Sequence, residues 1–402
     1  MRLLVISWEY PPNVVGGIGK HVAELVQAFV DIADRSDTPV HLDLLTPRSG
    51  NAPEIEQLSD NVTIYRIEIP SINPLDLFNS VIDNNRYLEL KARELHDQDP
   101  YDLIHVHEWL TASAGIELKH VWRVPLIVTI HATERGRHHS HVPNETSHRI
   151  NQLEWQVCYE AWRIIVCSTY MAGELGQYFD VPLDKVTLIP NGVDIAPFRA
   201  CSEERIQELR ARYAPNGEKL LFFIGRITPE KGVQVLLRAL PPLRWKYPDL
   251  RLLVAGRNSE QMQPLVDELQ IAEAVELLGF IDGETRNCLY RAVDAAVFPS
   301  LYEPFGIVAL EAMAAGCNVI ASNVGGLGEV VDHRRTGLTS VAGDPDSIVW
   351  AVDQLFSDPV QAQAMRARGL QEVMRSYDWH IIAASTLDTY RAVLAQRQDL
   401  SW

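Results

Sequence analysis

Residues 295–316 read AAVFPSLYEPFGIVALEAMAAG. The apolar run from Ala295 to Pro299 is too short for a helix and lacks polar alternation, which suits a strand covered on both faces. A polar turn follows, and a second, almost wholly apolar stretch then continues to Gly316. With a proline at its start and a glycine at its stop, that stretch is expected to form a helix beginning near Pro304 or Phe305. Strand, loop and helix in this order form the repeating unit of a parallel α/β sheet.

The unit recurs along the chain. Strands are expected at Leu3 to Ser7, His41 to Thr46, Thr63 to Ile67, Leu103 to His107, Leu126 to His131, Ile164 to Ser168 and Val186 to Pro190. Helical patterns such as Lys20 to Ile32 and Arg86 to His96 separate them. After the turn cluster Pro190-Asn191-Gly192-Val193-Asp194 comes a polar helical stretch, Ser202 to Tyr213, and then a second series. Its strands are Leu220 to Ile224, Leu250 to Ala255, Val275 to Leu278, Ala295 to Pro299, Asn318 to Ala321 and Leu338 to Val341. The economical reading is two doubly wound α/β domains joined near residue 192, with a last helix from His380 to Ala395.

The 402 residues carry 36 Lys plus Arg and 53 Asp plus Glu, a net charge of −17 before histidine, and are 47% hydrophobic. Such a chain can bury large cores, which excludes a disordered protein. Its charge opposes general binding to a phosphate backbone, so no nucleic-acid partner is expected. No run of roughly 18 apolar residues suggests a transmembrane helix. Peripheral membrane contact remains compatible. The five cysteines, at 158, 167, 201, 288 and 317, are widely spaced without a C-x-x-C. That spacing suits a reduced compartment, the cytoplasm, with neither a zinc site nor a disulfide framework.

Several features carry candidate chemistry. Gly16-Gly17-Ile18-Gly19 follows the first strand and precedes a helix expected near Lys20, where backbone N–H groups can meet an anion. Gly225-Arg226-Ile227-Thr228-Pro229-Glu230-Lys231-Gly232 follows the strand Leu220 to Ile224 and puts two cations at its carboxyl end, matching a diphosphate. Pro229 and Thr228 are expected to start the next helix. Glu303 falls in the loop before the helix of the opening stretch, and Glu311 falls in its second turn among Ile307, Val308, Leu310 and Met313. A buried carboxylate there needs donors, either ribose hydroxyls or an arginine. Gly306 exposes N–H groups at the helix start, and Asn323-Val324-Gly325-Gly326-Leu327-Gly328 is a further Gly-rich turn.

His131 ends the run Leu126 to Ile130 at a strand's carboxyl end, where sheets of this kind bind ligands. His138, His139, His141 and His148 lie in a polar stretch read as a mobile loop over a cleft, and no spacing completes a metal site. Asp344-Pro345-Asp346 reads as a helix cap. Neither Gly-rich loop gives G-x-G-x-x-G followed by an acid about 20 residues on, which disfavours a nicotinamide dehydrogenase.

In order, Gly16-Gly17, His131, Arg226 with Lys231, and Glu303 with Glu311 resemble the retaining glycosyltransferases of family 4, over nearly the whole chain. His105-Val106-His107-Glu108-Trp109 and His131-Ala132-Thr133-Glu134-Arg135-Gly136-Arg137 look closest to short, archaeal-type glycogen-synthase-like members. The resemblance implies the GT-B fold, two Rossmann-like α/β domains facing each other across a cleft. Residues 1–191 would form the acceptor-side domain, 192–377 the nucleotide-sugar-binding domain, and 378–402 a helix crossing back to the first.

By the same resemblance, Arg226 and Lys231 hold the donor diphosphate with the Gly17 N–H, Gly16 sharing that loop, and Glu311 binds the ribose. Glu303 contacts the transferred sugar or its phosphate side, and the amides around Phe305, Gly306 and Ile307 meet sugar hydroxyls. His131 lines the sugar pocket beside the anomeric carbon. The implied reaction is metal-independent transfer of a hexose, glucose, from a nucleotide sugar to a carbohydrate or other hydroxyl acceptor, with retention. UDP-glucose or ADP-glucose is the substrate, and no cofactor is expected. Where bacterial glycogen synthases carry Lys-Thr before the Gly-Gly, this chain has Val14-Val15. Donor choice therefore does not follow from these motifs, and the acceptor could be a glucan, lipid, small molecule or exopolysaccharide. A sugar-nucleotide epimerase and a non-catalytic nucleotide-sugar binder are the readings from other classes.

Overall fold

The computed structural model describes residues 1–33 and 40–398. It divides into two compact units, one comprising Met1–Asn191 with Trp379–Trp402, the other Gly192–Asp378. Residues 399–402, the end of the expected last segment, lie outside the described residues.

The first unit is built on an eight-stranded sheet. Its strands are β1 (Arg2–Ile6), β2 (His41–Pro47), β3 (Ile55–Ser59), β4 (Val62–Ile67), β5 (Leu103–His107), β6 (Leu126–Ile130), β7 (Arg163–Val166) and β8 (Val186–Leu188). They are ordered β3-β4-β2-β1-β5-β6-β7-β8. All neighbours are parallel except β3 and β4. Sequence reasoning missed β3 because IEQLS is a half-exposed edge strand with no apolar run. Strand order reverses between β1 and β5, so the loops after them open beside one another, where ligands enter sheets of this kind.

The helix Trp379–Gln398 belongs to this unit for a packing reason. Trp379, Ile382, Ala383, Leu387, Tyr390 and Val393 recur at helical spacing and are buried in one core with Val22, Leu25, Val26 and Phe29 of the helix Gly17–Ala33. Each large apolar side chain so buried contributes about 1.5–3 kcal/mol relative to exposure.

The second unit carries six parallel strands: β9 (Leu220–Ile224), β10 (Arg251–Ala255), β11 (Val275–Gly279), β12 (Ala295–Phe298), β13 (Val319–Ser322) and β14 (Leu338–Ser340). Their order is β11-β10-β9-β12-β13-β14, reversing between β9 and β12. Ala295 pairs with Leu221 and Ala296 with Phe222. This register sets the end of the opening stretch's strand beside the loop that begins at Gly225.

Helix boundaries differ from expectation in three places. The helix after β12 begins at Ile307, not at Pro304 or Phe305, because Gly306 adopts φ 103°, outside the helical region. The first helix begins at Gly17 rather than near Lys20, so part of the Gly-rich loop forms its first turn. Pro229 starts only a 3-10 turn, Pro229–Lys231, and the next α-helix begins at Val233 after Gly232 at φ 69°. Asp344 caps the helix Pro345–Ser357 by accepting from the Asp346 N–H.

The cysteine reading is corrected as well. Cys201 and Cys288 form a disulfide, with Cα atoms 5.6 Å apart, while Cys158, Cys167 and Cys317 are buried thiols outside any disulfide. The partners are 87 residues apart in sequence and meet where the helices Glu203–Tyr213 and Gly283–Ala292 pack, a juxtaposition that spacing does not reveal. Among the described residues no helix is long and apolar enough to cross a membrane.

Candidate active site

At the reversal point of the second sheet, three loops are tied together by their backbones. The Glu230 carbonyl accepts from Leu301 N at 2.7 Å and Tyr302 N at 3.3 Å, and the Glu303 carbonyl accepts from Gly326 N at 3.0 Å. Gly232 is required by contact as well as by φ: a Cβ there would sit 1.9 Å from the Pro299 carbonyl oxygen. The loop after β9 can approach the loop after β12 only because that position has no side chain.

This arrangement brings Lys231 and Glu303 together. Lys231 Nζ lies 2.6 Å from Glu303 Oε2, and the side chains are 20% and 11% exposed. Ser300 Oγ adds a longer contact to the same oxygen at 3.4 Å. Arg226 is over half exposed, and its ion pair among the described residues is with Glu230, at 3.4 Å. One cation is thus fixed and the other stands in solvent, both at the carboxyl edge of the sheet. At the start of the helix Ile307–Ala314 the Gly306 carbonyl accepts from Ala309 N at 3.0 Å and Leu310 N at 3.4 Å, and the N–H groups of Ile307 and Val308 are those an α-helix leaves without an intrahelical acceptor. Phe305 buries its ring, 6.2 Å from that of Tyr377.

Glu311 is buried on that helix, and of the two kinds of donor expected, the arginine is present. Arg286 Nη1 lies 3.3 Å from Glu311 Oε1, and Tyr290 Oη donates to Oε2 at 3.4 Å. Both partners come from the helix Gly283–Ala292. Burial and the neighbouring Glu311 charge push the Tyr290 hydroxyl well above its usual pKa. Sequence reading missed Arg286; the need of Glu311 for a donor was its only signal.

In the first unit, the Gly-rich loop already encloses an anion of its own. Glu9 Oε2 accepts from Val15 N at 2.9 Å, Gly16 N at 3.1 Å and Gly19 N at 3.3 Å. The amides expected to be free at this helix start are therefore largely taken, with Gly17 N outside that set. Glu9 follows β1 directly, and its proximity to the glycines was the available clue.

His131 begins a loop held by three buried carboxylates from three elements. Glu108 Oε1 accepts from His131 N at 2.5 Å and Ala132 N at 3.0 Å. Glu174 Oε2 accepts from Thr133 Oγ1 at 2.9 Å, and Glu154 accepts from Glu134 N at 2.9 and 3.1 Å. Burial raises the pKa of Glu108, and burial together with the Glu108 charge raises that of Glu154 further. Glu108 itself has φ 64°, a conformation disfavoured for a side chain with Cβ, and its two accepted bonds offset part of that cost.

The His131 ring meets other histidines. Its Nε2 is 3.2 Å from His107 Nδ1, and its centroid is 4.7 Å from that of His21. Burial holds His21 down at about 4 and keeps His107 and His131 well below the usual imidazole range, so the rings are neutral. Of the stretch read as a mobile loop, only residues 138–144, with His138, His139 and His141, form an exposed connection between the helices Glu134–Arg137 and Glu145–Glu160, with His138 Nε2 3.2 Å from Glu134 Oε1; His148 lies on the second of those helices, not in a loop. Of the expected site residues, Arg226, Lys231, Glu303, Phe305, Gly306, Ile307 and Glu311 belong to the second unit, and Gly16, Gly17 and His131 to the first.

Known proteins share this organisation. The family model for glycosyltransferase family 4 matches residues 15–197, and that for glycosyl transferases group 1 matches residues 205–372. An uncharacterized glycosyltransferase of Methanocaldococcus jannaschii is 34% identical over 405 residues, 98% of this chain and 99% of its own. A glycogen synthase of Mycobacterium tuberculosis is 34% identical over 415 residues, 98% of this chain and 95% of its own. Among solved structures, sucrose-phosphate synthase from Thermosynechococcus elongatus matches with a TM-score of 0.83 at 25% identity, covering 98% of this chain and 99% of that one. Similarity at this level through both units and both family models makes the chain a member of the family 4 glycosyltransferases, with two Rossmann-like domains of the GT-B class.

Proposed function

We propose that the protein is a retaining transferase that moves glucose from UDP-glucose or ADP-glucose to an acceptor hydroxyl, with a glucan as the acceptor. The observation that carries this reading is the Lys231–Glu303 pair at the reversal point of the second sheet. A cation and a carboxylate held side by side suit a substrate whose phosphate and sugar hydroxyls adjoin. The relative named glycogen synthase supports glucose and glucan.

Cleavage between the anomeric carbon and the phosphate builds positive charge on the sugar and negative charge on the leaving diphosphate. Fixed cations therefore bind the transition state more strongly than the ground state. Lys231, already positioned, meets the phosphate, and Arg226 folds onto it from solvent. Glu303 accepts from a sugar hydroxyl, and amides at the start of the helix Ile307–Ala314 donate to others. Glu311 exchanges part of its contact with Arg286 and Tyr290 for ribose hydroxyls. His131 borders the anomeric carbon. The acceptor hydroxyl attacks from the face that the phosphate leaves, and the departing phosphate oxygen takes its proton, which preserves configuration without an enzyme nucleophile. With two side-chain cations at the diphosphate, the reaction needs no divalent ion.

The test is incubation with each nucleotide glucose and a maltooligosaccharide in the presence of EDTA, followed by proton NMR of the product. An α-linked, elongated glucan is expected. A β linkage, loss of transfer in EDTA, or a rearranged sugar nucleotide without acceptor would contradict the proposal.

A further inference from the structure

His21, His107 and His131 are carried by a helix, by the end of β5 and by the residue after β6, and the sheet topology brings their rings together. Each offers a ring nitrogen, and the three nitrogens lie within 4.8 Å of one another. His107 Nδ1 and His131 Nε2 are 3.2 Å apart. Two imidazole nitrogens on a tetrahedral zinc ion, each about 2.05 Å from the metal, are separated by about 3.3 Å. One pair therefore already has a ligand spacing, and the third ring has only to close in.

The surroundings also suit ligation. Asn191 Oδ1 accepts from His21 Nδ1 at 2.6 Å, which leaves His21 Nε2 with its lone pair and supplies the outer hydrogen bond that orients metal-bound imidazoles. His107 is 1% exposed; its Nδ1 faces His131 Nε2, and among the described residues its Nε2 has no hydrogen-bond partner, so no group besides the neighbouring imidazole holds that ring. His105 makes the contrast. Both of its nitrogens are engaged, with Tyr390 Oη at 2.6 Å and Thr129 Oγ1 at 2.7 Å, so it packs beside His107 without a free ligand atom. His131 is partly exposed and gives an ion its way in.

We infer that His21, His107 and His131 form a three-imidazole site for a divalent transition metal of the zinc type, with a fourth position left for water. An all-nitrogen set selects Zn²⁺, Co²⁺, Ni²⁺ or Cu²⁺ over Mg²⁺ and Ca²⁺, which prefer oxygen. The proposed transfer does not use this metal. An ion on His131 withdraws that ring from the sugar and slows transfer. This consequence rests on the transferase reading; binding itself does not and is measured without donor or acceptor.

The experiment titrates the metal-free full chain with Co²⁺, followed by visible absorption, and then displaces it with Zn²⁺. One equivalent should give the intense bands of tetrahedral Co²⁺, removed by Zn²⁺ and unaffected by Mg²⁺. His21→Gln, His107→Gln and the partly exposed His131→Gln should each weaken binding at least tenfold, with folding checked by circular dichroism. A variant lacking the exposed His138, His139 and His141 should bind like the wild type. Absence of the bands, their persistence in folded His131→Gln, or their loss in the exposed-histidine variant would overturn the assignment.

Discussion

Lys231 Nζ meets Glu303 Oε2 at 2.6 Å, joining the loop after β9 to the loop after β12. Each side chain is mostly buried, so each is held where it stands before any substrate arrives. Lys231→Ala should lower turnover by about 10²–10³, the usual effect of losing one fixed stabilising donor. It should also cost about 3 kcal/mol of stability, because it leaves the mostly buried Glu303 carboxylate without its cation. Lys231→Arg should not restore the rate, since a planar guanidinium does not replace a compact ammonium at this spacing. Steady-state kinetics and thermal melts of both variants check this.

Arg226 has the opposite character, exposed and only loosely paired with Glu230. Arg226→Ala should leave stability within about 0.5 kcal/mol of wild type while turnover falls about a hundredfold. A variant with wild-type rate would remove Arg226 from the diphosphate.

Glu311→Gln keeps an acceptor for Tyr290 but removes the charge facing Arg286. It should weaken donor binding about tenfold and lower stability by about 1–2 kcal/mol. Calorimetric titration with the nucleotide, beside a thermal melt, separates the two effects. Unchanged affinity with a lowered melting temperature would make Glu311 purely structural.

Glu154 makes the stability of the first unit depend on pH. Burial, with the Glu108 charge adding to it, holds this carboxyl well above the ordinary value of 4.5. From 4.5 upward to its raised value, the folded chain binds more protons than the unfolded chain, so this group's contribution is lost as pH rises through that window. Glu154→Gln keeps an acceptor for the Glu134 N–H and cannot ionise. Its melting temperature relative to wild type should therefore increase from pH 5 to pH 8. A difference constant across that range would contradict the assignment.

Most of the strand pattern was legible in the sequence because parallel strands covered on both faces are continuous apolar runs, as at Leu126–Ile130 and Leu220–Ile224. β3 escaped because an exposed edge strand has no such signature. Lys231 and Glu303 could each be found from their local motifs, but their contact depends on Gly232 lying against Pro299, a tertiary fact. The supports of the site were less legible still. Glu108, Glu154, Glu174 and Arg286 act through contacts to residues 20 or more positions away, which local spacing does not mark, whereas Glu9 lies close in sequence to the glycine loop it holds. His107 was visible as the end of a strand, yet its neighbours His21 and His131 come from elements distant in sequence.

The central claim is that the cation fixed by Glu303 drives departure of the nucleotide diphosphate during glucose transfer. The most direct measurement is the rate of nucleotide diphosphate release from UDP-glucose and ADP-glucose with a maltooligosaccharide, comparing wild type with Lys231→Ala. With one of the two donors, the wild type should release diphosphate in step with glucan elongation, and Lys231→Ala should do so at least a hundredfold more slowly while remaining folded. Equal rates in the two proteins would contradict the account, as would no acceptor-dependent release by the wild type from either donor.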